Sequence, residues 1–281
     1  MVAAEKYAGQ QTGHLPLATN HCSMAGFALI TGASSGIGEK FARRFAARRE
    51  NLILVARSRD KLLALAEELR REYGVAVEVF PADLSTPAAA QALARALGET
   101  HLEVETLVNN AGFGARGRFW ELPLDRQREM FQLNVMAVVE LTHRLLGPMI
   151  ARRRGAVINV SSTAAFQPVP YTTLYAATKS FVTSFSMALA EEVQPYGIRV
   201  VTLCPGATRT NFFQASQYGD QNYKVPGGMQ QAEAVVEAAL RKLDRGGGLV
   251  VSGWFNQFSV FSQRLASRAL VARLAARVFK V

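Results

Sequence analysis

The sequence predicts an α/β protein built on a single doubly wound parallel sheet of about seven strands, with helices on both faces. Three observations carry that prediction. Short runs of Val, Ile and Leu recur between residues 26 and 252, each separated from the next by a helix-length stretch. These runs are continuously apolar and do not alternate, which marks strands buried on both faces, hence parallel and covered by helices. A glycine-rich turn closes the first run and opens a helix. With no internal linker and no repeat, the pattern reads as one domain over 24–252, preceded by a leader at 1–23 and followed by an extension at 253–281.

The elements follow in order. Phe27–Thr31 is the first strand, and the helix after its turn carries Phe41 and Phe45 on one face. The second strand covers 51–55 and leads into a Leu-rich helix at 59–73. The third covers 75–80, closed by Pro81, with a helix at about 87–97. The fourth covers 104–108 and precedes a long helix at about 124–150. The fifth, 156–160, is followed by a helix at about 172–194. The sixth covers 198–203, and the seventh 248–252 after a helix at about 230–244.

Composition narrows the function classes. The 281 residues are 49% hydrophobic and 19% charged, enough for a buried core and unlike a disordered chain. Two cysteines, Cys22 and Cys204, do not make a disulfide framework and fit a reducing cytoplasm. None of the four histidines has a metal-ligand spacing, so no metal is expected. The formal charge of +10 would suit nucleic acid, but +6 of it falls after Asp244, on Arg245, Arg264, Arg268, Arg273, Arg277 and Lys280. Elsewhere the helices carry ordinary mixed charge, so nucleic acid is not the expected partner. The leader has no apolar run of signal-peptide length and reads as disordered, and no stretch approaches the ~20 apolar residues of a membrane span.

The chemistry begins at the turn Thr31–Gly38, where Gly32, Ser34, Ser35, Gly36, Ile37 and Gly38 lie between strand and helix. Glycines let backbone approach a pyrophosphate, and the helix N-terminus offers free N–H groups and partial positive charge. The same residues satisfy Gly-x-Ser-x-Gly, the elbow of serine hydrolases, which requires an acid and then a histidine downstream. The later histidines, His101 and His143, fall in or at the ends of helices well before the last strands, which argues against that reading. At the end of the second strand, where an NAD-selecting enzyme places an acid, stand Ala56 and Arg57. A guanidinium suits a 2′-phosphate, although a plain surface arginine at a strand end is the simpler alternative. Asp83 and Leu84, past the third strand, are placed to touch an adenine.

Tyr175 and Lys179, at i and i+4, share one helix face after the strand that ends in Ser161 and Ser162. A phenol is a poor base at neutral pH, and an adjacent ammonium favours its anion and lowers its pKa. A lone Tyr-x-x-x-Lys is common by chance, but here a serine lies 13 residues upstream and a nucleotide turn closes the first strand.

With these residues in place the sequence resembles the short-chain dehydrogenases/reductases, over roughly 26–252. The resemblance rests on Thr31–Gly38, Asp83, residues 109–112, Asn134, Ser162, Tyr175, Lys179, Pro205, Gly206 and Thr210. It implies a Rossmann-type fold and a tetrad of Asn134, Ser162, Tyr175 and Lys179. In that tetrad Tyr175 donates the proton, Ser162 bonds the carbonyl oxygen, Lys179 binds the nicotinamide ribose and Asn134 holds a relay water. It also implies NADP (NADPH) as cofactor, held by the turn residues with Arg57, Asp83, Leu84, Asn110, Tyr175, Lys179, Thr208 and Thr210. Ser161 is the bystander, since Ser162 has the family's spacing to the tyrosine. One departure weakens the NADP reading: many such members carry a base where this chain has Ser35.

Two segments are expected to form the substrate pocket. One holds Phe113, Phe119 and Trp120; the other is a lid at 207–229 with Phe212, Phe213, Tyr218 and Tyr223. Their aromatic content points to an apolar carbonyl or alcohol substrate, unless those rings only pack the lid on its own core. Residues 256–281 are expected to be an apolar-faced basic helix, with Leu270, Val271, Leu274 and Val278 opposite Arg273, Arg277 and Lys280. That helix has three readings: docked on the body, packed on another subunit of a homodimer or homotetramer, or laid on an anionic membrane. A regulator that senses nucleotide without chemistry is the competing function class, and the presence of both Tyr175 and Lys179 speaks against it.

Overall fold

The computed structural model describes residues 26–100, 102–210, 212 and 228–279. The leader at 1–23, most of the expected lid, and its Phe213, Tyr218 and Tyr223 lie outside the described residues. The strands are β1 (Phe27–Thr31), β2 (Asn51–Ala56), β3 (Val77–Pro81), β4 (Val104–Asn109), β5 (Gly155–Val160), β6 (Ile198–Cys204) and β7 (Gly248–Val251). The helices are α1 (Gly36–Ala47), α2 (Arg59–Tyr73), α3 (Ala89–Glu99), α4 (Leu124–Phe131), α5 (Ala137–Arg152), α6 (Thr173–Val193), α7 (Ala232–Asp244), α8 (Trp254–Ser262) and α9 (Arg268–Phe279). The sheet has the order β3-β2-β1-β4-β5-β6-β7 with every pairing parallel, the doubly wound architecture the apolar runs predict.

Successive strand residues feed opposite cores, as the two-residue period of a strand requires. Ala28, Ile30, Leu52 and Leu54 pack against Phe41, Phe45, Leu62 and Leu69 of α1 and α2 and Val235 and Leu240 of α7. Leu29, Ile53, Val55 and Leu107 face the other way, against Leu93 of α3, Leu141 and Met149 of α5 and Leu189 of α6. Phe41 and Phe45 are stacked with ring centroids 6.1 Å apart and fully buried, so truncating either would cost about 3–5 kcal/mol.

Three local readings are corrected. The third strand begins at Val77 instead of Val75, and its helix begins at Ala89, because the chain turns through Ala88 with φ +64° before the helix starts. The long helix expected at 124–150 is interrupted by a wide π turn at Gln132–Met136 between α4 and α5. The tail is not one helix over 256–281: it breaks at a 3-10 turn, Gln263–Leu265, into α8 and α9.

The connections reverse direction between β1 and β4, which opens a crevice at the carboxyl ends of the strands. A cavity of about 840 Å³ occupies it.

Candidate active site

At one end of the cavity lies the turn after β1. Gly32 takes φ +69°, which favours glycine, and a Cβ on Gly38 would strike the Gly32 carbonyl oxygen, so the turn closes tightly only with glycine there. Thr31 Oγ1 donates to Val108 O (3.2 Å) and accepts from the amides of Asn110 and Ala111 (both 3.0 Å), tying β1 to the end of β4. The Asn110 amide donates to Thr31 O at 2.9 Å, so that side chain braces the turn from within the cavity wall. Ser35 stands at the N-cap of α1, and its hydroxyl is not spent on the first-turn amides. Those amides and the helix dipole therefore face the cavity as an anion cradle.

Farther along, Arg57, Asp83 and Leu84 line the same cavity. The Arg57 side chain is 66% exposed and stands 3.9 Å from an Asp83 carboxylate oxygen. Asp83 is itself fixed by the amide and hydroxyl of Ser85, at 3.0 and 2.6 Å. The guanidinium is thus free of close packing, but it shares its charge with a carboxylate that sequence reasoning had assigned only to an adenine.

Lys179, Ser161 and Ser162 meet where β5 ends beside α6. Lys179 Nζ is buried and donates to Val160 O at 2.8 Å. Ser161 Oγ turns inward, to Lys179 O at 2.8 Å and Thr183 Oγ1 at 2.7 Å, which leaves it structural. Ser162 caps the short 3-10 turn at Thr163–Phe166 by accepting from Ala164 N at 3.1 Å, and its hydroxyl acts on the Tyr175 phenol in the direction that favours the phenolate. Burial pushes Tyr175 up to about 12, and the Ser162 hydroxyl pulls the other way. Burial also brings Lys179 down to about 8. Desolvation is the largest influence on the phenol in this geometry. Nζ sits 5.9 Å from the Tyr175 ring centroid and is committed to a carbonyl, so desolvation wins.

Asn134 lies in the π turn, almost fully buried. Its amide donates to Phe113 O (3.0 Å) and Thr178 Oγ1 (3.1 Å), and its oxygen accepts from Phe113 N (3.2 Å). Beneath the site runs a buried ladder: Asn109 Nδ2 donates to Thr142 Oγ1 and Asn159 Oδ1, and Asn159 Nδ2 donates to Ser186 Oγ. Thr178 and the pairing of this ladder were not read from sequence, which named Asn109 only within the 109–112 motif; polar residues inside otherwise apolar strands, Asn109 and Asn159, were the available signal. Thr208 is buried, bonds Gly206 O at 2.9 Å and lines the cavity, and Thr210 accepts from Phe212 N at 3.2 Å.

The substrate end differs from expectation. Phe113 and Phe212 line it, the latter with its ring 5.6 Å from that of Tyr175, but Phe119 and Trp120 are exposed and do not. Arg126 lies over the Phe113 ring at 3.7 Å, a wall residue the sequence did not announce. The tail supplies a further part of the wall, Phe255 and Asn256 of α8 and Val271, Leu274 and Val278 of α9, and Gln167, Val169 and Thr172 before α6 line it as well. Arg116 holds the end of α9 by donating to Phe279 O at 3.2 Å. The tail therefore docks on the body, its apolar stripe turned partly toward the cavity.

The residues fit a nicotinamide dinucleotide: the cavity runs without a break from Arg57 past the glycine cradle to Tyr175 and Lys179, and a side chain on Gly38 would disrupt that cradle. Among the described residues no group of three His, Cys, Asp or Glu could hold a metal ion.

Known proteins place this arrangement. The short chain dehydrogenase family profile matches residues 26–221. A very-long-chain 3-oxoacyl-CoA reductase of Anas platyrhynchos is 35% identical over 198 residues, which cover 69% of this chain and 63% of that protein. Sulfoacetaldehyde reductase 2 of Chromohalobacter salexigens is 36% identical over 200 residues, 70% of this chain and 79% of that one. A solved short-chain dehydrogenase from Sphingobium yanoikuyae in complex with NADPH superposes with a TM-score of 0.77 at 35% identity, covering 85% of this chain and 94% of the other.

Proposed function

This chain belongs to the short-chain dehydrogenase family of oxidoreductases, and from that premise we propose that it reduces the carbonyl of an apolar ketone or acyl substrate, or oxidises the matching alcohol, with NADP(H). The observation that carries the reading is that Tyr175, Ser162 and Lys179 line the far end of the same cavity that begins in the dinucleotide cradle of Gly32 to Ile37.

When bound, the nicotinamide ring supplies the hydride to the carbonyl carbon. Tyr175 Oη gives its proton to the carbonyl oxygen, and Ser162 Oγ donates to the same oxygen as charge develops there. A phenol pushed to about 12 is fully protonated at neutral pH, which suits a general acid in the reducing direction. Lys179, at about 8, remains largely an ammonium there and stabilises the phenolate left behind. Asn134 fixes the 113 loop against α6 and positions the relay that returns a proton to Tyr175.

NADP over NAD is supported by Arg57 at the ribose end and by the NADPH-bound relative. Apolar substrate is supported by the wall of Phe113, Phe255, Leu274 and Val278, and by the long-chain acyl substrate in the name of the Anas relative. A homo-oligomer in the cytoplasm, its tail touching a membrane, belongs to the same reading. The test is NADPH oxidation against a panel of ketones from short and soluble to long-chain and steroid-like. Turnover that rises with apolar size supports the reading; no turnover on any member would end it.

A further inference from the structure

The rim of the cavity has a second face. Phe255, Asn256 and Ser259 of α8 line the cavity. The opposite side carries Trp254, Phe258 and Phe261, spaced i, i+4 and i+7, with exposures of 78%, 65% and 59%, and Leu265 of the following 3-10 turn is exposed as well. On α9, Ala275 is the buried anchor, while Leu270, Leu274 and Val278 form a row at four-residue spacing, each about half exposed. Arg273 and Arg277 form the neighbouring exposed row. No acidic residue follows Asp244, and five of the six basic residues beyond it, all but Arg245, follow the last strand.

We propose that this face docks on an anionic lipid bilayer, and that the cavity mouth, built by the same two helices, takes its apolar substrate from that surface. Rings standing in water along one row are costly unless covered, and indole suits the headgroup boundary. Arginines one row away pair with anionic headgroups, each adding about tenfold or less to affinity. The helices lie in the interface, since no described helix is long and apolar enough to cross a membrane. A second copy fits less well. A two-fold contact would bring the same acid-free basic segment against itself, like charge on like. Leu274 and Val278 are half exposed yet line the cavity, so the mouth opens where the lipid would lie. Docking stands on these observations alone; delivery of substrate rests on the carbonyl reduction proposed above.

The experiment uses the full chain with Trp120→Phe, which leaves Trp254 as the only one of its two tryptophans. Vesicles of phosphatidylcholine, with and without phosphatidylglycerol, are titrated while Trp254 emission and co-sedimentation are followed. Expected are a blue shift, quenching by brominated acyl chains and sedimentation with the phosphatidylglycerol vesicles, all weakened by salt. Phe258→Ser with Phe261→Ser should bind at least about tenfold more weakly and keep full activity on a water-soluble ketone without vesicles. An apolar ketone should be reduced faster from phosphatidylglycerol vesicles than from phosphatidylcholine alone, and equal rates would overturn delivery. Unchanged emission and no sedimentation, with the soluble ketone still reduced, would overturn docking and leave the reaction standing. Lipid binding without turnover of any ketone would remove the reaction and delivery and leave docking. A concentration-dependent oligomer lost in the double variant, with no lipid response, would assign the face to a second copy and overturn the proposal.

Discussion

At the floor of the cavity, Asn109, Asn159, Ser186 and Thr142 pair with one another inside the protein, and Ser161, Thr183 and Lys179 are bonded just above them. At the rim, α8 and α9 hold the cavity wall largely with apolar side chains that are half in water, pinned by bonds such as that from Arg116 to Phe279 O. The floor is specified by directional bonds, each with a defined partner, so a single atom there can be decisive. The rim is specified by area, so its contributions are graded and exchangeable. Substitutions at the two places should therefore differ in kind: sharp losses of rate at the floor, shallow changes in affinity at the rim.

The largest expected effect tests the floor. Tyr175→Phe removes one oxygen, and kcat should fall by about 10³-fold, within the range of a lost general acid. NADPH affinity, measured by fluorescence titration, should stay within about twofold of the parent value, because hydride-side binding is separate from the lost proton. Retention of substantial carbonyl reduction would mean the chemistry lies elsewhere.

Next comes Arg57→Asp, at the far end from the rim. Loss of a charge-assisted contact is worth roughly 1.5–3 kcal/mol, or about ten- to a hundred-fold in the NADPH-to-NADH ratio of kcat/KM. Because Arg57 is two-thirds exposed and already faces Asp83, the lower end is expected. An unchanged ratio would unseat Arg57 as the phosphate partner.

The pH profile sharpens the picture of the floor. Lys179 carries its proton below about 8 and loses it above, whereas the phenol keeps its own to about 12. Reduction should therefore be level through neutrality and fall above pH 8, by up to about tenfold per unit. Lys179→Arg should carry that break upward, since a guanidinium stays charged. A profile that falls only near pH 12, with or without this substitution, would show that the charge of Lys179 is not used.

The smallest expected effect belongs to the rim. Leu274→Ala removes a half-exposed wall residue, part of the ~1.5–3 kcal/mol of a fully buried leucine. KM for an apolar ketone should rise about threefold, with kcat and NADPH affinity nearly unchanged. A loss of kcat as large as that of Tyr175→Phe would erase the distinction between rim and floor.

That distinction also explains what could be read from the sequence. The strand runs, the glycine turn, and Tyr175 with Lys179 and Ser162 were legible because each depends on residue type at fixed spacing. The side chain of Asn134 could be named, but not the π turn that aims it, since a wide turn leaves no compositional mark. Trp120 and Phe119 were misplaced because aromatic content says nothing about direction, and both point to water. The tail's stripe of Leu270, Leu274 and Val278 was visible, yet its break at 263–265 and its place over the cavity depend on contacts far apart in the chain. The phenol's rise to about 12 was missed for the same reason: neighbouring charge is visible in a helix repeat, desolvation is not.

The wide turn at 132–136 makes chain length itself a constrained quantity. A turn that takes an extra residue advances the phase of everything after it, so Leu141 and Met149 meet the core on a different helical wheel from Met130. Shortening that turn by one residue would let α4 and α5 fuse into a regular helix with nearly the same apolar content. It would also rotate Asn134 away from the Phe113 backbone that holds it. A helix of this kind tolerates many exchanges of residue and very few changes of count.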